Sequence, residues 1–286
     1  MSRPPIELSN SRLNLLESCA FTFQQRHLRP HKDPGSERSR FGRCCHAYFD
    51  ADISHRVRKN RKQDWEASGL IAERVFKAGL ADGLLTDDNY EEAMRIANIF
   101  SGAFTLNRKG SHYTERVLVV NKDWQPMDVE YDYDAHCVKG VSEDLISGIP
   151  DYIRISSRGD FAEIWDFKSG EEHVQAGSAL GSSQGQLYTA MLMAHYPSIE
   201  KADFILWGVK YGFGNKDSAS YTRAVIDDAK ARTDAGFSLL DSLHLVYGEK
   251  DWPASGQSHD TCSYCPVRER CPILLANWAA LGRMAA

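Results

Sequence analysis

Apolar residues recur at helical spacing through the first third of this chain and then give way to short alternating runs. Residues 9–28 set Leu13, Leu16, Phe23 and Leu28 among polar neighbours, a spacing that predicts helix. The stretch RPHKDPGSERSR (29–40) is dense in turn formers and charge and predicts a loop. Helices are expected over 41–58, 63–80 and 87–104, the last opened by Asp87 or Asp88 as N-cap. This region is helical enough to form a lobe of its own, over 50–112.

The pattern changes after residue 112. ERVLVV (115–120), PDYIRIS (150–156) and AEIWDFK (162–168) have the β-branched and aromatic content of strands, and SRGD (157–160) joins the last two as a hairpin-like turn. SSQGQLYTAMLMAHY (182–196) predicts a helix, ADFILWGVKYG (202–212) a buried strand and SYTRAVI (220–226) another. A long helix follows over about 227–247, then a cysteine-rich end with a final short helix. Strands interleaved with helices make this an α/β or α+β chain with a central mixed sheet flanked by helices. No internal repeat or low-complexity segment interrupts it.

Composition changes this picture little. The 286 residues are 42% hydrophobic and 26% charged, ordinary for a soluble globular protein. No apolar run is long enough to cross a bilayer, and MSRPPIELSN lacks the apolar core of a secretion signal, so a cytoplasmic protein with no membrane partner is expected. Charge is more informative. Residues 1–62 hold 13 Lys and Arg against 6 Asp and Glu, so this segment carries +7 and, the chain total being −5, the rest carries −12. The basic part ends in HRVRKNRK (55–62), either a solvated helix face or a surface that contacts phosphates.

Alternation in AEIWDFK puts Asp166 and Lys168 on one face of a strand and Trp165 and Phe167 on the other. A hairpin through 157–160 brings Asp151 beside Asp166. Two carboxylates held together repel, and a divalent cation such as magnesium relieves the repulsion while keeping sites for water and phosphate oxygens. An ammonium beside them can orient a water or neutralise charge on a phosphoryl group. A surface ion pair in a hairpin is the plain alternative. Gln184 and Tyr188 lie four residues apart on one helix face. In FGRCCHAYFDA (41–51), His46 stands on a predicted helix; Cys44 and Cys45, with no base identified, read as buried inert thiols.

The seven cysteines are Cys19, Cys44, Cys45, Cys137, Cys262, Cys265 and Cys271, an odd count that argues against a disulfide framework. Cys262, Cys265 and Cys271 have C-x2-C-x5-C spacing, compact enough to converge on one metal centre. The fourth ligand is Cys19 or His259, and spacing leaves zinc and an iron–sulfur cluster both open.

Taken in order, GRCCH (42–46), GIPD (148–151), DFK (166–168), QGQLY (184–188) and a cysteine at 19 matched with three near the end resemble the RecB-like branch of the PD-(D/E)XK nuclease superfamily. The likeness is greatest to its iron–sulfur members, the CRISPR-associated exonucleases and AddB-type helicase–nuclease subunits. The resemblance implies a restriction-endonuclease-like core across 1–286 as one nuclease domain, with the 50–112 helical insertion and a cysteine-rich part over 255–286 closing onto the N-terminal helix. By position it implies that His46, Asp151, Asp166 and the carbonyl of Phe167 bind Mg2+ or Mn2+, and that Lys168 positions or polarises the attacking water. Gln184 and Tyr188 would stabilise the site and contact phosphate, and Glu115 corresponds to an acidic residue before the core strands. Cys19, Cys262, Cys265 and Cys271 would hold a 4Fe–4S cluster, joining chain ends that otherwise have only packing between them. DNA, single-stranded, is the implied substrate. A helicase or integrase partner and self-association are compatible with the likeness, as are roles in DNA repair, recombination or CRISPR adaptation. The rival expectation is an idle nucleic-acid-binding subunit that keeps the cluster without turnover.

Overall fold

The computed structural model describes residues 3–29, 36–133, 137–170, 173–255, 262 and 265–274. In chain order the strands are β1 (Glu7–Leu8), β2 (Ser111–Thr114), β3 (Leu118–Asn121), β4 (Tyr131–Asp132), β5 (Cys137–Val138), β6 (Leu145–Gly148), β7 (Tyr152–Ile155), β8 (Phe161–Lys168), β9 (Lys201–Gly208) and β10 (Lys216–Thr222). The helices are α1 (Asn10–Ser18), α2 (Ala20–Phe23), α3 (Glu37–Lys59), α4 (Trp65–Ala81), α5 (Asp87–Ala103), α6 (Ser183–His195) and α7 (Val225–Tyr247). No helix among the described residues is long and apolar enough to cross a membrane.

The main sheet runs β10-β9-β8-β7-β2 among the described residues. Its β8–β9 pair is parallel and the others antiparallel, giving the mixed sheet expected. Alternation along each strand splits the core in two. Ile153, Ile155, Ala162, Ile164, Ala202 and Phe204 turn to one face, where α6 covers them. Tyr152, Trp165, Phe167 and Trp207 turn to the other, against an aromatic cluster of Tyr48 and Phe49 from α3 and Phe100 and Phe104 at the end of α5. Phe167 meets Phe49, Phe100 and Phe104 edge-on, with ring centroids 5.1–5.8 Å apart. Such pairs add roughly 0.5–1.5 kcal/mol each beyond burial.

A second sheet, β1-β6-β3, packs against α6 from the other side. Helix α6 is therefore apolar nearly all round, from Leu187 to Met193, as a helix buried between layers must be. Two close approaches hold it there. A Cβ on Gly185 would stand 2.5 Å from Phe204 Cδ1, and one on Gly148, at the end of β6, 2.7 Å from Tyr188 Cε1.

Several expectations need correction: Thr86, not Asp87 or Asp88, caps α5, and SYTRAVI is strand only to Thr222, with α7 starting at Val225. The loop expected over 29–40 ends earlier: α3 begins at Glu37, because the Ser36 hydroxyl accepts the Ser39 N–H at 3.1 Å and caps the first turn. Residues 115–120 are not one strand. Glu115 has φ +43°, which separates β2 in the main sheet from β3 in the small one. The helix over 9–28 breaks at Cys19, whose backbone is extended.

The chain ends are held by more than packing. Gln24 Nε2 donates to the Lys250 carbonyl at 2.7 Å, its Oε1 accepts the Trp252 N–H at 3.0 Å, and Phe21 N–H reaches the Pro253 carbonyl at 3.1 Å. Trp252 stacks on Phe23. Beside them His27 lies against Phe23, and burial, with Arg12 and Arg26 adding to it, pushes its pKa down to about 4 from 6.5. The unfolded chain then binds the extra proton first, so this contribution to stability is complete above about pH 6.5 and is lost as pH falls toward 4. Discounted for partial exposure, the loss is about 2 kcal/mol. Denaturant melts of wild type and His27→Gln at pH 7 and pH 5 should show a smaller acid loss in the variant.

Candidate active site

The site forms where the chain leaves the small sheet for the large one. After β6 ends at Gly148, Ile149 and Pro150 lead to Asp151, and β7 begins at Tyr152, paired with Trp165 of β8. Proline lacks an N–H to give a ladder, which suits this crossing point. Asp151 therefore lies just beyond the pairing, opposite the end of β8, and its Oδ2 accepts the Phe167 N–H at 2.6 Å. Its Oδ1 is 2.8 Å from Nδ1 of His46, which α3 carries over the end of the sheet.

Asp166 and Lys168 share the opposite face of β8 from Trp165 and Phe167, as the alternation requires. The Asp166 side chain is 4% exposed while Lys168 reaches solvent at 44%, and their ion pair measures 2.7 Å. Despite that contact, Asp166 Oδ2 is buried and takes no hydrogen bond of good geometry. Lys168 Nζ also donates to Gln184 Oε1 at 3.3 Å, and Gln184 Nε2 donates to the Tyr188 hydroxyl at 2.9 Å. The amide of Gln184 is thus oriented from behind by Tyr188, with its oxygen toward the lysine.

Electrostatics follow from this crowding. Burial pushes the Asp166 carboxyl above the ordinary range; the Lys168 ammonium works against that and the Asp151 carboxylate adds to it. Burial pushes the His46 imidazole down, but Asp151 outweighs it and holds it above its usual value. Burial raises the Tyr188 phenol, so it stays a neutral hydroxyl. Glu115, raised by burial and by Asp50 and Asp151, stands beside the cluster, its N–H on the Asp151 carbonyl at 3.2 Å. Its left-handed backbone is rare for a non-glycine residue, and such strain concentrates at working sites.

Among the described residues, no three His, Cys, Asp or Glu side chains are gathered as an ion cage; His46 and the Phe167 N–H each contact one Asp151 oxygen. The donor set nevertheless suits a hard divalent cation: two carboxylates and an imidazole, with one buried carboxylate oxygen lacking a hydrogen bond.

A family model for the PD-(D/E)XK nuclease superfamily matches residues 7–272. The chain belongs to the PD-(D/E)XK nuclease superfamily. This membership supports a metal-dependent nuclease, and the mixed sheet flanked by helices agrees with the superfamily's fold. No curated protein matches the chain. Among solved structures, one described as the crystal structure of SSO0001 aligns over 80% of this chain and 84% of its own, with 12% identity and a TM-score of 0.30, too low to carry an argument.

As a PD-(D/E)XK chain it brings His46, Asp151, Asp166, Lys168, Gln184 and Tyr188 into one connected set. Cys44 and Cys45 stay outside it, buried in the α3–α5 core, where burial pushes their thiols up to about 11 and about 12. The cysteines of the chain ends lie elsewhere. The Thr22 hydroxyl is 3.4 Å from Cys19 Sγ and 3.5 Å from Cys265 Sγ. Burial raises the Cys262 thiol, and Cys265, Cys271 and Cys19 each add to the rise, but among the described residues no three cysteines are gathered as a metal site. His259, the rival fourth ligand, lies outside the described residues. Sequence reasoning missed Asp50, one helical turn beyond His46 on α3; the i,i+4 step in FGRCCHAYFDA was the available signal.

Proposed function

We propose that this protein is a Mg2+- or Mn2+-dependent deoxyribonuclease that acts on single-stranded ends as an exonuclease. The observation that carries the reading is the buried Asp166 carboxylate, short of hydrogen bonds, with Asp151 and the half-exposed Lys168 beside it. His46, Asp151, Asp166 and the Phe167 carbonyl are the ligands for the cation. When bound, it supplies Lewis-acid stabilisation of charge on the phosphoryl oxygens and a lowered pKa for water. The protein's own part is positional. Asp166 and Gln184 hold the Lys168 ammonium where it orients the attacking water toward phosphorus, and Tyr188 fixes the Gln184 amide so that its oxygen, not its nitrogen, meets the lysine. Burial of Asp166 on β8 and of Tyr188 on α6 keeps both out of competing solvent, which strengthens each contact.

We also propose that Cys19, Cys262, Cys265 and Cys271 hold a 4Fe–4S cluster with a structural role. The Thr22 hydroxyl shared by Cys19 and Cys265 supports it, as does the Cys19 thiol: burial pushes it up, but hydrogen bonds from Thr22 and Ser255 bring it below its ordinary value. Protein purified without oxygen should be brown and contain about four iron atoms, and zinc in place of iron would overturn the cluster.

Single-stranded oligonucleotides labelled at the 5′ or the 3′ end, incubated with Mg2+, Mn2+ or EDTA, test the nuclease. Ladders from one end that vanish in EDTA support it. Measurable affinity for DNA with no products under either metal would instead mark an idle subunit of a helicase or integrase complex.

A further inference from the structure

Beyond the active site, α3 carries on in steps of four: His46, Asp50, Ser54 and Arg58 form one row along the helix. From Asp50 onward this row walls a cavity of about 520 Å3, whose other sides include Arg74 of α4 and His112 and Thr114 of β2. That volume is in the range of a nucleotide-sized ligand. The polar wall nearest the active site is already tied together. Ser54 Oγ lies 3.0 Å from Thr114 Oγ1 and donates to Asp50 at 3.3 Å.

The far wall is different. Arg58 and Arg74, from two helices, are both exposed, and among the described residues neither makes an ion pair or hydrogen bond. Elsewhere on the same helix, Arg56 is held by Asp52, Ser68 and the carbonyls of Lys62, Ser101 and Phe104. His112 Nδ1 meets the Tyr152 hydroxyl at 2.8 Å, while its buried Nε2 has no hydrogen bond among the described residues. Two unpaired guanidiniums facing one cavity suit an anion with several oxygens, and a phosphodiester fits such a fork.

We propose that this cavity is a phosphate-binding subsite for the nucleic-acid strand, with Arg58 and Arg74 as its binding residues. The inference rests on the nuclease reading and adds to it a reach. Arg58 is twelve residues from His46, so the subsite lies about 18 Å along α3 from the active site. At a per-strand spacing of about 3.4 Å this is about five nucleotides, and fewer in an extended strand. Asp50, on the cavity wall toward the active site, repels phosphate, as does Glu115, near enough to Asp50 and Asp151 to feel both charges, so the attraction is confined to the far end. The subsite therefore acts as a step in substrate length and not as a continuous groove.

The test uses fluorescently labelled single-stranded oligonucleotides of three and eight nucleotides. Anisotropy without added divalent cation gives affinity, and cleavage with Mn2+ gives kcat and KM. Wild type should bind the eight-mer at least tenfold more tightly than the three-mer at low salt. Arg58→Ala/Arg74→Ala should abolish that difference, leave the melting temperature within about 1 °C, and flatten the slope of log affinity against log salt by about 1.4, two phosphates at about 0.7 each on a single strand. Arg74→Ala alone should give half of this, and Arg58→Lys/Arg74→Lys should retain most of the slope. A double alanine variant with wild-type length dependence and salt slope overturns the subsite. If that variant also cleaves normally, the nuclease reading stands without the subsite. If wild type cleaves nothing, the nuclease reading fails and the anisotropy still decides the cavity.

Discussion

Lys168→Ala should lower kcat by about 10³-fold or more while leaving the fold and the affinity for single-stranded DNA close to wild type. Loss of a positioned proton-handling or charge-stabilising group costs about 10²–10⁴ in rate. Lys168 is placed to be both, since its ammonium contacts Asp166 and Gln184 at the end of β8 and still reaches solvent. Truncation removes no core packing: Phe167, not Lys168, fills the aromatic cluster behind the strand. The melting temperature should move little, because Asp166, whose carboxyl burial already pushes up, takes up a proton once its ion-pair partner Lys168 is gone. Lys168→Arg tests geometry against charge. A planar guanidinium cannot sit between Asp166 and Gln184 as the compact ammonium does, so it should recover less than a tenth of the rate. Metal-dependent cleavage by Lys168→Ala at wild-type speed would remove the lysine from the mechanism.

The parts of the site governed by short-range periodicity are legible in the sequence. Alternation along AEIWDFK assigns Asp166 and Lys168 to one face and two aromatics to the other, and the four-residue step from Gln184 to Tyr188 sets their hydrogen bond. Convergence across the chain is another matter. His46 meets Asp151 because α3 crosses the end of the sheet, a consequence of how Tyr48 and Phe49 pack against Phe100 and Phe167, and no local pattern encodes it. The division into two sheets was also hidden. It depends on a left-handed Glu115 and on Pro150 at a crossing, whereas ERVLVV and PDYIRIS each look like uninterrupted strand. The basic run HRVRKNRK mixes two kinds of arginine. Arg56 is wholly buried and Arg58 exposed and without a partner among the described residues, and only the packing of α4 and α5 on one side of α3 tells them apart. Arg74 carried no sequence signal at all.

Arg56→Ala should destabilise the protein by about 3–5 kcal/mol, the usual result of removing one member of a buried pair and leaving the other charge uncompensated. Arg56 and Asp52 are both 0% exposed and 2.7 Å apart on consecutive turns of α3. The guanidinium also donates to the Phe104 carbonyl at 2.7 Å, the Ser101 carbonyl at 3.3 Å and Ser68 Oγ at 3.2 Å, so one side chain ties α3 to α4 and to the end of α5. Ser68 in turn donates to Asp52. Its loss would strand Asp52, whose carboxyl burial already pushes up against the opposing pull of Arg56. For a chain of this size the melting temperature should fall by about 10 °C. Pair replacement separates specificity from stability. Arg56 Nε and Asp52 Oδ2 lack further hydrogen bonds, so the pair has not recovered its full cost of desolvation. Asp52→Leu/Arg56→Met should therefore regain most of the lost stability. Because the same helix delivers His46 to Asp151 about two to three turns earlier, that double variant is also a test of alignment. Cleavage that recovers along with stability means packing alone orients α3; stability restored without cleavage means the buried pair sets the helix where His46 needs it.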